Sequence, residues 1–470
     1  SKTNVLEAEG VLQLGAESQA TGFKAKATKL SPGTSYYVRA YAVKAEGVVY
    51  GEAVQVKTQA APAKPVSTQN FGDTSVHTVN PDRLSGQIKT DDQGVTALSV
   101  ESQTDATIQQ VQVPLSAVDQ INAMAARDGG KPELQIGTPI GSMNLPTEDL
   151  GSSSLIPEDF TGDLTSARLH VTIEQVDEDT AKIMEEATGV TGLVAPIRFD
   201  LTLKTDQKID ERTTRVETTP IDAFENLVVR SITAPKTEGP LMAVVFDEDA
   251  QEWVPVLSRT VVDENGNVSV EILHREMGVY TLVEREPVEV LGLEGSDAKE
   301  AIETLASMGV LPYEKGSKYQ PNMGITRAEM AYTMVRLMGI TQAQGQAVDY
   351  PDVAGHRYTR EIQLATQAGI FTGYGDGLFR GDQVITREEL AAVVERAVKY
   401  VEMTEGLDPE AANLYRDEAS IDFWSVDSVG RLTDAGVIKA EENDRYRPQE
   451  QASKAEAATM LANFLQMINQ

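Results

Sequence analysis

The chain has 470 residues, no cysteine, and 41 Lys and Arg against 72 Asp and Glu, for a net charge of -31. That balance excludes disulfide and thiolate chemistry and argues against a nucleic-acid partner, which needs a basic face. No apolar run approaches the ~20 residues of a membrane-spanning helix, and at ~100–200 residues per domain the length predicts two to four domains.

The chain opens on Ser1 with neither Met nor an export signal, which reads as a mature fragment or an excerpt. Leu30-Ser31-Pro32-Gly33-Thr34 reads as a tight turn, and Ser35-Tyr36-Tyr37-Val38-Arg39-Ala40-Tyr41-Ala42 as an alternating strand. This stretch resembles the end of a fibronectin type III domain, with Tyr36 placed like its tyrosine corner. A full sandwich of that type needs about 100 residues, so residues 1–59 are expected to be a partial fibronectin type III-like β domain. Ala60-Ala61-Pro62-Ala63-Lys64-Pro65 has the spaced prolines of a stiff linker, assigned here to 60–69.

Residues 70–287 read as a β-rich surface region of one or two domains with sandwich-like packing. Strand signals fall at Val95–Val100, Thr107–Val113, Ala167–Glu174, Ile197–Leu203, Asn226–Ile232, Leu241–Phe246 and Val279–Val283. Asn265-Gly266 sits between apolar runs as a hairpin turn. A helix is predicted over Leu115–Ala126, after Val113-Pro114. Trp253-Val254-Pro255-Val256 with Gly278–Val283 resembles β-rich regions that precede anchoring repeats in bacterial surface proteins.

The last third repeats itself. Thr326-Arg327-Ala328-Glu329, Thr386-Arg387-Glu388-Glu389 and Ser453-Lys454-Ala455-Glu456 are each Ser/Thr-x-x-Glu before an apolar-periodic run, the signature of a capping box. The cations Arg327, Arg387 and Lys454 sit at the positive end of a helix dipole, at a cost of about 0.3–1 kcal/mol each. Repeated three times, this placement suggests a task outside the helix, and a helix start with free N–H groups plus a cation suits an anion. Upstream of each box lies a helix-like stretch closed by Gly309, Gly369 or Gly436, then an apolar pair and a turn-rich loop with one aromatic. Each unit is therefore helix, loop, helix, too small to bury its own apolar face, so three should pack together.

This arrangement resembles the S-layer homology domain, a surface-anchoring module of bacterial envelopes. Asp352-Val353-Ala354-Gly355-His356 looks like the motif that opens each family repeat. Gly369-Ile370-Phe371-Thr372-Gly373-Tyr374-Gly375-Asp376-Gly377-Leu378-Phe379 followed by Ile385-Thr386-Arg387-Glu388-Glu389 is close to its most recognisable run. The resemblance implies repeats at 291–345, 346–405 and 406–470, forming an all-α pseudo-trimeric anchor. It further implies grooves that bind pyruvylated secondary cell-wall polysaccharide on a Gram-positive type of envelope. The glycan-binding residues it implies are Arg387, Arg327, Lys454, Gly373 and Trp424. The copies depart from the family. Its Trp survives as Trp424, with Asp297 and Arg357 at that place in the first two repeats, and its Gly survives as Gly373, with Pro312 and Ala440 in the others. Lys454 can offer a point charge but no bidentate fork. Trp424 is read either as core or as a stacking platform for sugar. Residues 291–470 are themselves acidic, -11 from 17 basic and 28 acidic residues, so the cations must create local basic grooves.

No catalytic constellation emerges. His77, His170, His274 and His356 are scattered, and Gly373-x-Gly375-x-Gly377 follows a helix and reads as a turn. Glu329, Glu389 and Glu456 have capping work. Asp247-Glu248-Asp249, Asp263-Glu264-Asn265 and Glu441-Glu442-Asn443-Asp444 are oxygen-rich candidates for Ca²⁺, though none has calcium-loop spacing. The expected function is a non-catalytic surface-layer or cell-surface structural protein that self-assembles or joins other surface-layer proteins. The alternative is the anchor half of a secreted polysaccharide-degrading exoenzyme whose catalytic domain lies upstream of Ser1.

Overall fold

The computed structural model describes residues 17–19, 22–24, 35–39, 41–44, 47–57, 64–157, 160, 162–208, 214–342, 349–439 and 443–469. The chain divides into two compact units, Ser1–Lys64 and Pro65–Gln470.

In the first unit three antiparallel pairs are described. Glu17–Gln19 pairs with Gly22–Lys24, Ser35–Val38 with Val54–Lys57, and Tyr41–Lys44 with Gly47–Tyr50. Tyr36 stands opposite Val56 in the second of these. Most of the turn and strand expected over Leu30–Ala42 before Ser35, and Ala60–Ala63 of the linker, lie outside the described residues.

The second half of the expected linker is a strand, Val66–Phe71, paired antiparallel with Thr74–Val79. Gly72, at φ 59°, supplies the tight turn between them. The ladder of backbone hydrogen bonds overrides the linker-like composition before it.

Two mixed sheets make up the β-region. One has seven strands in the order Ser258–Val262, Val268–Glu276, Ala223–Thr233, Ser142–Pro146, Lys131–Gly137, Val95–Glu101 and Lys89–Thr90. The other carries Glu252–Pro255, Leu241–Asp247, Gly278–Glu284, Ile197–Lys208, Asp163–Gln175, Ile108–Pro114, Thr74–Val79 and Val66–Phe71, with Thr214–Pro220 added on Ile197–Lys208. Alternate residues point inward, such as Leu98 and Val100 from one sheet and Leu169, Val171 and Ile173 from the other. Both sheets feed one apolar core, as sandwich packing requires. Helix α1, Leu115–Asp128, lays Leu115, Ala117, Val118 and Ile121 on that core and ends at Gly129, φ 73°, whose N–H bonds Ala125 O. Short helices α2, Ser152–Leu155, and α3, Glu178–Thr188, sit in later connections. The Asn265-Gly266 hairpin forms as expected, with Gly266 at φ 79° and Asp263 accepting from the Asn265 and Asn267 backbone N–H groups.

The C-terminal region is three helix–loop–helix units. They hold α4 (Lys299–Ser307) and α5 (Arg327–Met338), α6 (Thr359–Gln367) and α7 (Arg387–Tyr400), and α8 (Val426–Asp434) and α9 (Lys454–Ile468). After α4, α6 and α8 the chain turns through Gly309, Gly369 and Gly436 at φ 71°, 72° and 68°. The apolar pair that follows each glycine is buried, as is the aromatic Tyr319, Phe379 or Tyr446 further along each loop. One continuous apolar core runs through all three units, so none encloses a core of its own.

The sandwich and the helical region meet over a buried, bonded seam. Leu257 and Leu273 from the sheets belong to the helical core. Glu276, fully buried, accepts from Thr341 N–H at 3.1 Å and from its hydroxyl at 2.6 Å. Arg360 bonds Asp247 at 2.6 Å, and Arg275 donates to Tyr400 O at 3.0 Å. A Cβ on Gly339 would lie 2.9 Å from Val256 Cβ, which shows how closely the two backbones approach.

Candidate functional site

The starts of α5, α7 and α9 lie together. Thr326, Thr386 and Ser453 are their N-caps, and each forms the complete capping box. Just before the caps, Ile325 N–H donates to Ala452 O at 3.0 Å. Ala452 N–H donates to Ile385 O at 2.9 Å, and Ile385 N–H donates to Ile325 O at 3.0 Å. The three hydrogen bonds close a ring.

The cations form a second ring outside the first. Arg327 is 5% exposed and reaches into the second unit. Its Nε donates to Phe379 O at 2.9 Å and Nη2 to Thr372 O at 2.8 Å, with Nη1 3.7 Å from Glu389 Oε1. Its guanidinium carbon lies 4.5 Å from the Tyr374 ring centre and 4.9 Å from that of Phe379. Arg387 does the same in the third unit, donating to Tyr446 O at 2.7 Å and pairing with Glu456. Lys454 closes the cycle on the first unit, 2.7 Å from Glu329 Oε1. Each capping glutamate thus has two tasks. One oxygen takes the N-cap N–H of its own helix, and the other faces the cation of the preceding unit. The second task was missed in the sequence because the partners are 62, 69 and 125 residues apart.

The free helix-start N–H groups expected to receive an anion are already bonded. Arg327 and Ala328 N–H go to Gln383 O and Gly381 O, Arg387 and Glu388 N–H to Glu450 O and Pro448 O, and Lys454 and Ala455 N–H to Met323 O and Pro321 O. A buried donor without a partner costs about 1–3 kcal/mol, so the loops of the neighbouring unit complete each helix end.

Gly373 is placed by contact. Its N–H donates to Tyr350 Oη at 2.9 Å, and a Cβ there would sit 2.2 Å from the same ring. Trp424 is not core. It is 44% exposed, with Nε1 donating to Asp422 at 3.3 Å, and its neighbour Phe423 is 92% exposed. Tyr374 donates to Glu389 at 2.6 Å, and burial followed by that bond pushes its phenol up to about 12.

An open groove of about 610 Å³ lies where Lys454 meets the first unit. Tyr313, Tyr319, Tyr332 and Tyr358 line it together with Lys318, Arg357 and Lys454. Arg357, which stacks 4.4 Å from the Tyr358 ring centre, stands at the place of the family's Trp. Only Tyr319 was marked in the sequence, as the aromatic of its loop; Tyr313 lies in the same loop, Tyr332 on α5 and Tyr358 at the start of α6, and only the fold gathers them. Of the five expected contact residues, this groove holds Lys454. Arg327 and Arg387 are committed to the neighbouring seams, and Gly373 and Trp424 lie elsewhere on the second and third units.

The acidic clusters are occupied with turns and pairs. Asp247 accepts from the Asp249 and Ala250 N–H groups and pairs with Arg360. Asp263 caps its hairpin. Glu441 and Glu442 lie outside the described residues. Among the described residues no group of three His, Asp or Glu is gathered as a metal set, and no helix is long and apolar enough to cross a membrane.

The S-layer homology domain family matches residues 293–331, 349–391 and 414–458. The chain is 32% identical over 171 residues to an amylopullulanase of Thermoanaerobacterium thermosulfurigenes, covering 36% of this chain and 9% of that protein. It is 28% identical over 156 residues to a cellulosome-anchoring protein of Acetivibrio thermocellus, 32% of this chain and 34% of that one. It is 24% identical over 163 residues to an S-layer protein of Bacillus thuringiensis subsp. finitimus, 35% of this chain and 19% of that one. The chain therefore spans between 9% and 34% of the length of these relatives. No such match bears on the fibronectin type III-like reading of residues 1–59, which stays an expectation. The ordered boxes, the family match and these relatives agree that the chain carries three S-layer homology domains, and that it belongs at the bacterial cell wall or surface.

Proposed function

We propose that this chain is a non-catalytic structural protein of a surface layer, held to the wall by a pseudo-three-fold anchor that binds an acidic secondary wall polysaccharide, of the pyruvylated kind. The observation that carries this reading is the tyrosine-lined groove at Lys454. Tyrosine faces suit the C–H faces of sugar rings while their hydroxyls meet polar groups. Three cations with one carboxylate, Glu314, among the lining residues give a local positive field in an acidic region. The closed rings of hydrogen bonds and ion pairs support the pseudo-three-fold description, because each unit stands to the next as that one does to the third.

In this reading Lys454 contacts glycan directly, while Arg327 and Arg387 shape their seams. Gly373 and Trp424 belong to the corresponding surface between the second and third units, where Trp424 offers a stacking face. A second reading is favoured by the match to an amylopullulanase over the S-layer homology region. In that reading the same anchor serves a wall-bound exoenzyme, and a catalytic domain encoded upstream of Ser1 in the parent gene would decide for it. Ca²⁺ at contacts between copies is a further part of the surface-layer reading, tested by whether chelation dissolves assemblies.

The test is co-sedimentation of the full chain with purified wall sacculi, with and without their attached polysaccharide. Binding that requires the polysaccharide and weakens in Arg357→Ala supports the reading. Equal binding to stripped sacculi would sink it.

A further inference from the structure

The three units present the same positions to three inter-unit surfaces, and these can be matched by counting. The residue before each first-helix N-cap is Asp297, Arg357 or Trp424. The sixth residue of each second helix is Tyr332, Ala392 or Thr459. Three residues past the closing glycines stand Pro312, Thr372 and Lys439, which puts Tyr313 rather than Pro312 level with Gly373 and Ala440. The groove at Lys454 uses Pro312, Tyr332 and Arg357 from these sets. A second cleft, of about 560 Å³, uses Lys439, Thr459 and Asp297. It is therefore the corresponding groove between the third unit and the first.

This second groove differs in one respect. Its far wall is the β-sandwich, including Leu241, Met242 and Ser258, and the segment leaving the sandwich adds Arg285. Arg285 also lines an adjoining cleft of about 450 Å³ that shares Pro240, Asp297, Glu300 and Thr304, so it stands where the two spaces join. Among the described residues its guanidinium makes one long hydrogen bond, Nη1 to Thr304 O at 3.4 Å. Among the described residues it forms no ion pair, although the chain carries 72 acidic residues. Burial alone lowers its proton affinity, with no carboxylate acting to restore it. A half-buried guanidinium with unused donors, lining a solvent-open cleft, favours an incoming anionic acceptor. Around it Thr459, Asn463 and Gln466 offer hydroxyl and amide groups, and Met242, Ala462 and Leu465 offer an apolar floor. That combination fits a sugar chain with an acidic substituent better than a simple anion.

We propose that this cleft is a composite glycan site in which Arg285, contributed by the sandwich, holds a carboxylate of the wall polysaccharide against the anchor. The inference rests on the reading of the anchor as a glycan binder and extends it. The β-region is then part of the binding machinery, and the groove between the third and first units is not interchangeable with the one at Lys454.

The test is calorimetric titration of the full chain with purified wall polysaccharide, intact or freed of its acidic substituents by mild acid. The variants are Arg285→Ala, Arg285→Lys and Thr459→Trp, the last filling the cleft from an exposed helix position. Loss of one charge-assisted contact should weaken binding of the intact polymer by about tenfold in Arg285→Ala. Thr459→Trp should weaken it too, Arg285→Lys should retain part of the affinity, and the de-acidified polymer should not distinguish Arg285→Ala from the parent. If Arg285→Ala loses its fold, judged by its melting transition, Thr459→Trp carries the test. A parent chain that binds and variants that bind equally well would overturn the composite site alone. A parent chain that binds no polysaccharide would overturn the anchor reading and this inference together.

Discussion

The seam closed by Arg327 and the one closed by Lys454 occupy equivalent places and behave differently. Arg327 has a planar fork, so it satisfies two carbonyls, faces a carboxylate and lies against three rings at once. Lys454 has one compact ammonium and makes one charged bond, to Glu329. Arginine therefore fills its junction, while lysine leaves room beside it for the tyrosine-lined groove.

The largest effect should come from breaking the filled seam. Arg327→Ala removes a buried cation that faces the part-buried Glu389 and orphans two loop carbonyls, for a loss of about 3–5 kcal/mol in denaturant unfolding. A loss below ~1 kcal/mol would mean that Arg327 is not structural. Next is the join between sandwich and anchor. Gly339→Val places a branched side chain at φ 71° against Val256, and should lower stability by about 1–3 kcal/mol. An unchanged unfolding midpoint would show that the two regions do not meet as described. Lys454→Ala should cost less, about 1–2 kcal/mol, because the pair is single and partly solvated. Its clearer signature is weaker polysaccharide binding, and a variant that binds like the parent would remove Lys454 from the site.

The smallest effect concerns pH. Asp352 and Asp417 grip equivalent loops by accepting from the N–H groups of Phe379 and Arg380, and of Tyr446 and Arg447. Burial would raise both carboxyls, but these backbone donors outweigh it and hold them below the usual range. A depressed folded-state value stabilises above the unfolded pKa of about 3.9 and is lost as pH falls through the folded value. Asp352→Asn should therefore melt below the parent at neutral pH, with the gap closing below about pH 4. A gap constant with pH would contradict the assignment.

What the sequence disclosed was local. Capping boxes, closing glycines, buried apolar pairs and the Asn265-Gly266 turn each lie within a few residues, and the structure contains them all. Strands with clear alternation, such as Val95–Glu101, or with a continuous apolar run, such as Leu241–Asp247, were also legible. Lys131–Gly137 was not, because it begins Lys-Pro-Glu and is held by parallel pairing to Val95–Glu101 more than thirty residues earlier. Val66–Phe71 was hidden behind a proline-rich composition. At the site, the sequence marked the three cations but not their targets, which lie in the next unit. Nothing local could reveal that the helix-start N–H groups would be bonded by neighbouring loops. Nor could it reveal that Tyr319, Tyr332 and Tyr358 share a groove or that Arg285 borders one.

The most direct test of the account separates groove from seam in one titration. Purified wall polysaccharide is titrated into the full chain and into Arg357→Ala, an exposed groove variant that touches no seam, with melting recorded for both. The account predicts a several-fold loss of affinity in Arg357→Ala at an unchanged melting temperature. Equal affinity in the two proteins would contradict it, and would move glycan recognition away from the tyrosine groove.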